Sequence, residues 1–157
     1  MDLLLTMVEE AYRRKAWHGP NLRGALRGVT AKEAAWRPAK GRHNIWELAV
    51  HAAYWKYAVR RRLTGEKRGR FILPGSNWFA RPDPASPTLE TDWQRDVALL
   101  DAEHRLLLEA VAAVDATKLD QPAAGSRQTP LTLIRGVAFH DVYHAGQVQL
   151  LKRLSRE

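Results

Sequence analysis

Apolar side chains recur at intervals of three and four residues along four long stretches of the chain, and no stretch of useful length alternates apolar with polar positions. A period near 3.6 residues is typical of amphipathic helices that bury one face. The predicted long helices run from Asp2 to Trp17, from Asn44 to Leu63, from Thr88 or Thr91 through Val114, and from Thr129 to Leu154. The pattern therefore predicts an all-α fold.

Capping residues indicate where two of the helical segments begin. Thr30 and Glu33 have the spacing of a capping box, and so do Asn44 and Glu47, because each side chain in such a pair can bond the backbone amide of the other. Short helical segments are expected at 22–27 and 31–36, before the second long helix.

A long connection joins the second and third long helices. Residues 66–87 are rich in Pro, Gly and Arg, but they also include apolar side chains at Phe71, Ile72, Leu73, Trp78 and Phe79. Loops of this kind tend to cover sites. We expect a four-helix bundle with a long crossover loop at this point, and a single domain over residues 1–157, since this length suits one core.

The last helix carries two histidines on its apolar face. Thr129 can cap it, and Pro130 suits a first helical position that needs no amide donor. At about 100° per residue, one stripe contains Leu133, Val137, His140, His144, Gln147 and Leu151. A buried imidazole nitrogen without a partner costs roughly 1–3 kcal/mol, and a cation held between these two rings would satisfy both.

The second long helix supplies a third inward histidine, His51. Two interpretations are open. Either each of the three is a core histidine bonded to a neighbour, or His51, His140 and His144 together bind a divalent metal with positions left for water or substrate. Three buried imidazoles without a metal need a large polar network, which favours the metal site. The chain has no cysteine, so protein thiolates are excluded, and zinc, nickel, iron and manganese remain candidates.

Two further residues are weak candidates for a catalytic role. His104 lies in the heptad seam of the third long helix and could be a fourth ligand, a proton shuttle or, as we favour, a structural histidine paired with Tyr12 or Gln147. Glu47 precedes His51 by one turn and could orient a ligand or act as a base, although the capping box alone explains it.

The remaining histidines and one aspartate are expected to contribute less. His18 lies at a helix break and could enter the site from its rim, whereas His43 is expected to be exposed. Asp141 follows His140, where helical zinc proteases place a glutamate, but it should lie near the edge of the stripe, so we assign it no base role.

Two segments resemble a known family. The sequences NIWELAVHAAYW at 44–55 and GVAFHDVYHAGQVQLL at 136–151 are similar to those of the DinB-like superfamily of DNA-damage-inducible proteins and metal-dependent thiol transferases. The resemblance extends over nearly the whole chain and implies a metal triad at His51, His140 and His144 in a four-helix bundle. Members of this family are frequently homodimers, so the resemblance also implies a homodimer.

The resemblance implies a range of activities. Some relatives transfer a low-molecular-weight thiol such as bacillithiol or mycothiol, or isomerise a substrate with it, and many have no assigned reaction. We expect a metal that activates a thiol or water for a small-molecule substrate, in a thiol S-transferase or a hydrolase. The alternative is a non-catalytic metal-binding stress-response module.

Charge and hydropathy constrain the partners and the location of the protein. The net charge of +8 raises the question of nucleic acid, but the basic residues are scattered, so a nucleic-acid groove is not favoured. No apolar run approaches the roughly 18 residues of a membrane span, and no signal peptide is evident, so we expect a cytoplasmic protein.

Overall fold

The computed structural model describes residues 1–67, 69–83, 87, 89–122 and 127–156, and within these ranges it contains helices and no β-strand. The α-helices are α1 (Asp2–Tyr12), α2 (Leu22–Ala25), α3 (Ala31–Ala35), α4 (Ile45–Thr64), α5 (Glu90–Ala112) and α6 (Pro130–Leu154), with a turn of 3₁₀-helix at Ala116–Lys118. The all-α prediction is confirmed. Across the described ranges, none of these helices has the length and apolar character that crossing a membrane requires.

The capping residues act largely as expected. Thr30 and Glu33 exchange both hydrogen bonds of a capping box at the start of α3. The Asn44 side chain accepts a hydrogen bond from the backbone N–H of Glu47 at the start of α4, but the Glu47 carboxylate turns elsewhere. Gly65 ends α4 in the left-handed conformation, with φ of 70°, which a residue without a side chain adopts without strain.

The first helix is shorter than predicted. It ends at Tyr12 rather than Trp17, and Asp2 is its first helical residue rather than its cap. The Asn21 side chain donates to the carbonyl of Arg14 at 2.7 Å, which holds the chain in a turn beyond the helix end. Trp17, the predicted end of this helix, lies beyond it and is fully exposed.

The start of α6 matches the prediction. The Thr129 side chain accepts from the backbone N–H of Thr132, and Pro130 occupies the first turn. The heptad seam of α5 is confirmed for its first six members, which are buried at Trp93, Val97, Leu100, His104, Leu107 and Val111. Val114, its last predicted member, lies beyond the helix end at Ala112 and is only half-buried. This helix begins at Glu90, close to the predicted Thr91, while Thr88 lies outside the described residues.

The longest helices in the described part of the chain, α1, α4, α5 and α6, pack against one another. Helix α4 packs against both α5 and α6, and α1 packs against α6 and α5, while α2 lies on α6 and α3 lies on α4 and α5. The apolar interior forms two clusters, one around Trp46 and Trp93 and one around Leu107 and Ile134. Helix α4 is thus covered on most of its circumference.

The connection between α4 and α5 contributes to the core, as predicted. Phe71 and Phe79 are buried and contact each other, with ring centroids 5.3 Å apart. Both rings also lie against Tyr54 of α4, at 5.5 and 5.6 Å. Ile72, in contrast, is largely exposed. The described part of this loop is therefore fastened along α4.

An ion pair that sequence reasoning did not identify joins α4 to α6. Lys56 and Asp141 bond each other and are both completely buried. The Lys56 ammonium also lies 4.5 Å from the centroid of the Tyr12 ring, which links the pair to α1. Burial raises the pKa of Asp141 to about 6 and lowers the pKa of Lys56. Both shifts oppose the charged forms, because the loss of hydration outweighs the attraction between the two groups, which acts in the other direction.

Removing one partner of this pair should destabilise the protein. We expect Lys56→Met to lower the free energy of unfolding by about 3–5 kcal/mol, because the Asp141 carboxylate is left buried without its cation. Urea denaturation measures the change. The double variant Lys56→Met/Asp141→Leu should recover most of the loss, since neither charge then remains.

The matched control breaks an exposed pair. Arg105→Met removes the partner of Glu109 on the surface of α5 and should leave stability nearly unchanged. Equal stability of the Lys56→Met variant and the parent protein would show that the buried pair contributes no net stabilisation.

Candidate metal centre

The structure brings together the three histidines expected to lie inward. His51 is on α4, and His140 and His144 are one turn apart on α6, so the packing of α4 against α6 makes their rings converge. The Nε2 atom of His140 lies 3.0 Å from the Nε2 atoms of both other rings. One ligand atom from each residue lies within 4.8 Å of the others, so the group could hold a metal ion.

The outer nitrogens of two rings are engaged with oxygen acceptors. His51 Nδ1 lies 2.7 Å from the carbonyl oxygen of Asn77, and His144 Nδ1 lies 2.5 Å from Oε1 of Gln147. These oxygens can only accept, so each Nδ1 carries the proton and each neutral ring presents a lone pair at Nε2. Anchoring of this kind is typical of metal-binding histidines.

The third ring completes a donor set that a cation fits. A proton on Nε2 of His140 can bond the Nε2 lone pair of either His51 or His144, but not both at once. Without a cation, one of these two lone pairs therefore has no hydrogen bond. His140 Nδ1, the nitrogen that would carry the proton if Nε2 bound a metal, is buried and has no hydrogen-bond partner among the described residues. A cation among the three Nε2 atoms would satisfy all of them, with the all-nitrogen chemistry that divalent transition metals accept.

The environment keeps the three imidazoles neutral. Burial lowers the pKa of His140 to about 3 and that of His144 to about 4, and it also lowers the pKa of His51. The proximity of the rings adds to the effect, because a charge on one disfavours a charge on the next. Metal ligation requires unprotonated imidazole, so these rings are ready to bind at neutral pH.

The loop between α4 and α5 forms one side of the cluster. The Trp78 ring stacks on His51 with centroids 3.8 Å apart, and its other face stacks on His43 at 3.6 Å. Asn77 adopts a left-handed backbone with φ of 66°, and its side-chain oxygen accepts from Trp55 Nε1 at 2.9 Å. Asn77 therefore fixes His51 through its backbone and Trp55 through its side chain.

Two cavities adjoin the cluster on different sides. One has a volume of about 210 Å³ and is lined by His140 together with Trp55 and Val137. The other has a volume of about 570 Å³ and is lined by His144 and Trp78. Small molecules could therefore approach the histidines from outside.

Glu47, a candidate base in the sequence, lies in a separate polar cluster. Its carboxylate accepts from the Arg37 guanidinium at 2.5 and 2.9 Å, from His43 Nδ1 at 2.9 Å, and from the backbone N–H of Arg81 at 3.4 Å. Burial favours the neutral acid, but the bonds from Arg37 and His43 outweigh it and hold the pKa of Glu47 below its usual range. The carboxylate thus anchors the segments before and after α4.

His104 lies apart from the three converging rings. It is completely buried and stacks on Tyr12 with centroids 4.0 Å apart, while Gln147 serves His144 instead. Neither ring nitrogen has a hydrogen-bond partner among the described residues, and burial lowers the pKa of His104 to about 2. The expected pairing with Tyr12 is thus a ring contact. His18, which could have entered the site from its rim, is exposed and is not part of the cluster.

Comparison with known proteins gives a family. No curated protein and no solved structure matches the chain. The sequence model of the DinB superfamily matches residues 16–148, which include all three converging histidines and most of the chain. The protein therefore belongs to the DinB superfamily.

Proposed function

We propose that His51, His140 and His144 bind one divalent transition metal and that the protein is a metal-dependent enzyme. The observation that carries the proposal is the convergence of three Nε2 atoms, two of them with lone pairs fixed by Nδ1–H bonds to oxygen acceptors. A bound ion would lower the pKa of a thiol or water and supply a nucleophile at neutral pH. The reaction class is a low-molecular-weight-thiol S-transfer or a hydrolysis.

The protein groups around the cluster have distinct tasks in this proposal. Asn77 and Gln147 orient two of the ligand rings, and Trp78 covers the face of His51 and keeps water from it. The chain contains no cysteine, so a reacting thiol would come from a small molecule. Zinc, nickel, iron and manganese are all compatible with three imidazole ligands.

The alternative is a metal-binding stress-response module without turnover. Such a module would fill the coordination shell of its metal with protein ligands. Among the described residues, the group of candidate ligands contains the three histidines alone, and cavities adjoin two of them. These features favour an enzyme with an open coordination position.

The finer structural expectations belong to the same proposal. We interpret α1, α4, α5 and α6 as a four-helix bundle with a crossover between α4 and α5, and the chain as a single domain. A homodimer is supported by large apolar side chains exposed on α6 outside the two cavities, at Phe139 and Leu154. A cytoplasmic location and the absence of a nucleic-acid partner remain predictions.

The metal assignment predicts about one divalent ion per chain in protein purified without an affinity tag. Elemental analysis should show that His144→Ala lowers occupancy at least about tenfold, because one of three ligands is lost. His18→Ala, which alters an exposed histidine outside the cluster, should retain the ion. Unchanged metal content in His144→Ala would refute the assignment.

The orienting role of Gln147 predicts a second effect on metal affinity. Gln147→Leu removes the acceptor for His144 Nδ1–H and should weaken metal binding by about 10–100-fold, measured by competition with a chelator. Gln149→Leu, on the same helix but outside the cluster, is the matched control. Equal affinities in the two variants would show that the Gln147 contact does not support the ligand.

Turnover separates the enzyme from the non-catalytic module. The metal-loaded protein should accelerate the consumption of a small thiol in the presence of an electrophile, or the hydrolysis of an activated ester. Thiol titration and ester absorbance report the two reactions. Chelator-treated protein and the His144→Ala variant should lose the acceleration. Metal-loaded protein that accelerates neither reaction in a broad screen would favour the module.

A further inference from the structure

The larger cavity beside His144 has the size of a small-molecule site. Its volume is about 570 Å³, within the range of about 300–1,000 Å³ that ligand pockets occupy. The segment before α4, the crossover loop and the outer face of α6 all contribute to it. The smaller cavity beside His140, about 210 Å³, falls below that range. The larger cavity is therefore the better candidate for the body of a ligand.

The walls of this cavity suit an apolar or aromatic body. Trp78 and Tyr143 present aromatic rings, and Leu48, Leu150 and Leu151 add aliphatic surface. Trp78 is held between the rings of His51 and His43, so its position is fixed on both faces. A preformed aromatic wall gives contact area at little cost in side-chain order.

The charge at the rim is positive and unbalanced. Arg42 lines the cavity, and no acidic side chain is among the described residues that line it. Neighbouring arginines have carboxylate partners, since Arg37 pairs with Glu47 and Arg81 pairs with Asp96. No ion pair involves Arg42 in the described part of the chain. Its guanidinium is thus available to a ligand.

The backbone of Arg42 is held in place. Its carbonyl accepts from the Arg37 guanidinium at 2.6 Å, and Arg37 is itself bound to the buried Glu47 carboxylate. Glu47, the acidic group nearest in sequence, is therefore occupied and cannot neutralise Arg42. A planar guanidinium on a fixed backbone matches the two oxygens of a carboxylate.

We propose that the larger cavity binds an organic anion with an apolar body, and that Arg42 recognises its carboxylate. The assignment rests on the proposed function in one respect, since it names the substrate class for the site beside His144. Binding of the anion itself depends on Arg42 and the apolar walls, and not on the metal. The two proposals can therefore fail separately.

The test compares three probes of equal shape and different charge. These are 4-phenylbutanoate, 4-phenyl-1-butanol and 4-phenylbutylamine, titrated into the full-length protein by ligand-observed NMR. We expect the acid to bind at least about fivefold more tightly than the alcohol, and the amine to bind most weakly, because the rim carries an unpaired cation. The preference should persist in chelator-treated protein.

Substitutions test whether Arg42 causes the preference for the acid over the alcohol. Arg42→Gln should bring the acid and the alcohol to equal affinity, and Arg42→Lys should restore part of the difference. Arg62→Gln, which removes the arginine lining the smaller cavity, is the matched control and should keep the preference. Leu150→Ala should weaken the acid and the alcohol by the same factor, because it alters only the apolar wall.

Three outcomes would overturn the proposal. One is a preference that survives Arg42→Gln and disappears when the metal is removed, which would place the carboxylate on the metal. Another is loss of the preference in Arg62→Gln rather than Arg42→Gln, which would place the ligand in the smaller cavity. The third is no detectable binding of the acid at about 10 mM. Metal content, measured on the same samples, shows independently whether the metal assignment holds.

Discussion

The contact between α4 and α6 must satisfy several buried polar groups at once, and much of the structure depends on this constraint. His51 and Lys56 lie five positions apart on α4, whereas their partners His140 and Asp141 are adjacent on α6. Adjacent helical residues point about 100° apart, so the two contacts leave α6 in different directions. Together they fix both the rotation and the register of the two helices.

A slip of one turn between α4 and α6 would break both contacts. Lys56 and Asp141 would then be buried without partners, at a cost of several kcal/mol, and His51 would face apolar side chains. The apolar clusters alone tolerate such a slip better, because leucine, valine and alanine can exchange neighbours. The polar contacts thus specify the one arrangement in which the three imidazoles converge.

The loop between α4 and α5 extends this constraint beyond the helices. Asn77 and Trp78 hold the ring of His51 in two ways, one through a hydrogen bond at the ring edge and one through stacking on the ring face. Glu47 holds a later part of the loop, because its carboxylate accepts a hydrogen bond from the backbone N–H of Arg81. The histidine cluster is therefore built from two helices and the loop that follows the first of them.

Sequence pattern was sufficient for the features that repeat along the chain. The heptad seam of α5, the caps at Thr30 and Thr129 and the inward direction of His51, His140 and His144 all follow from spacing, and the structure has them. The predicted end of α1 at Trp17 was wrong. A side chain from outside the helix, Asn21, bonds the carbonyl of Arg14 and holds the chain in a turn after Tyr12. A local pattern contains no information about that contact.

The residues that pattern reasoning missed are those whose surroundings come from several elements. Lys56 is buried because α4 is covered on most sides, whereas a single-stripe template assigns lysine to solvent. Asp141 was expected at the edge of its stripe and is fully buried where α6 packs against α4 and Lys56. Asn77 acts through its backbone carbonyl, which every residue possesses, so its side chain gives no sign of that role.

The electrostatics of the proposed site favour anions at two positions, among the three histidines and at the rim of the adjoining cavity. Three neutral imidazoles leave the charge of a divalent ion unreduced, and no carboxylate from the described residues joins them. Glu47, one turn before His51, is already paired with Arg37 and hydrogen-bonded to His43. Arg42 adds a second unbalanced positive charge at the rim of the adjoining cavity. A ligand whose carboxylate meets Arg42 at the rim and whose thiolate meets a bound ion would therefore be favoured at both points, whereas a cationic ligand would be repelled by both.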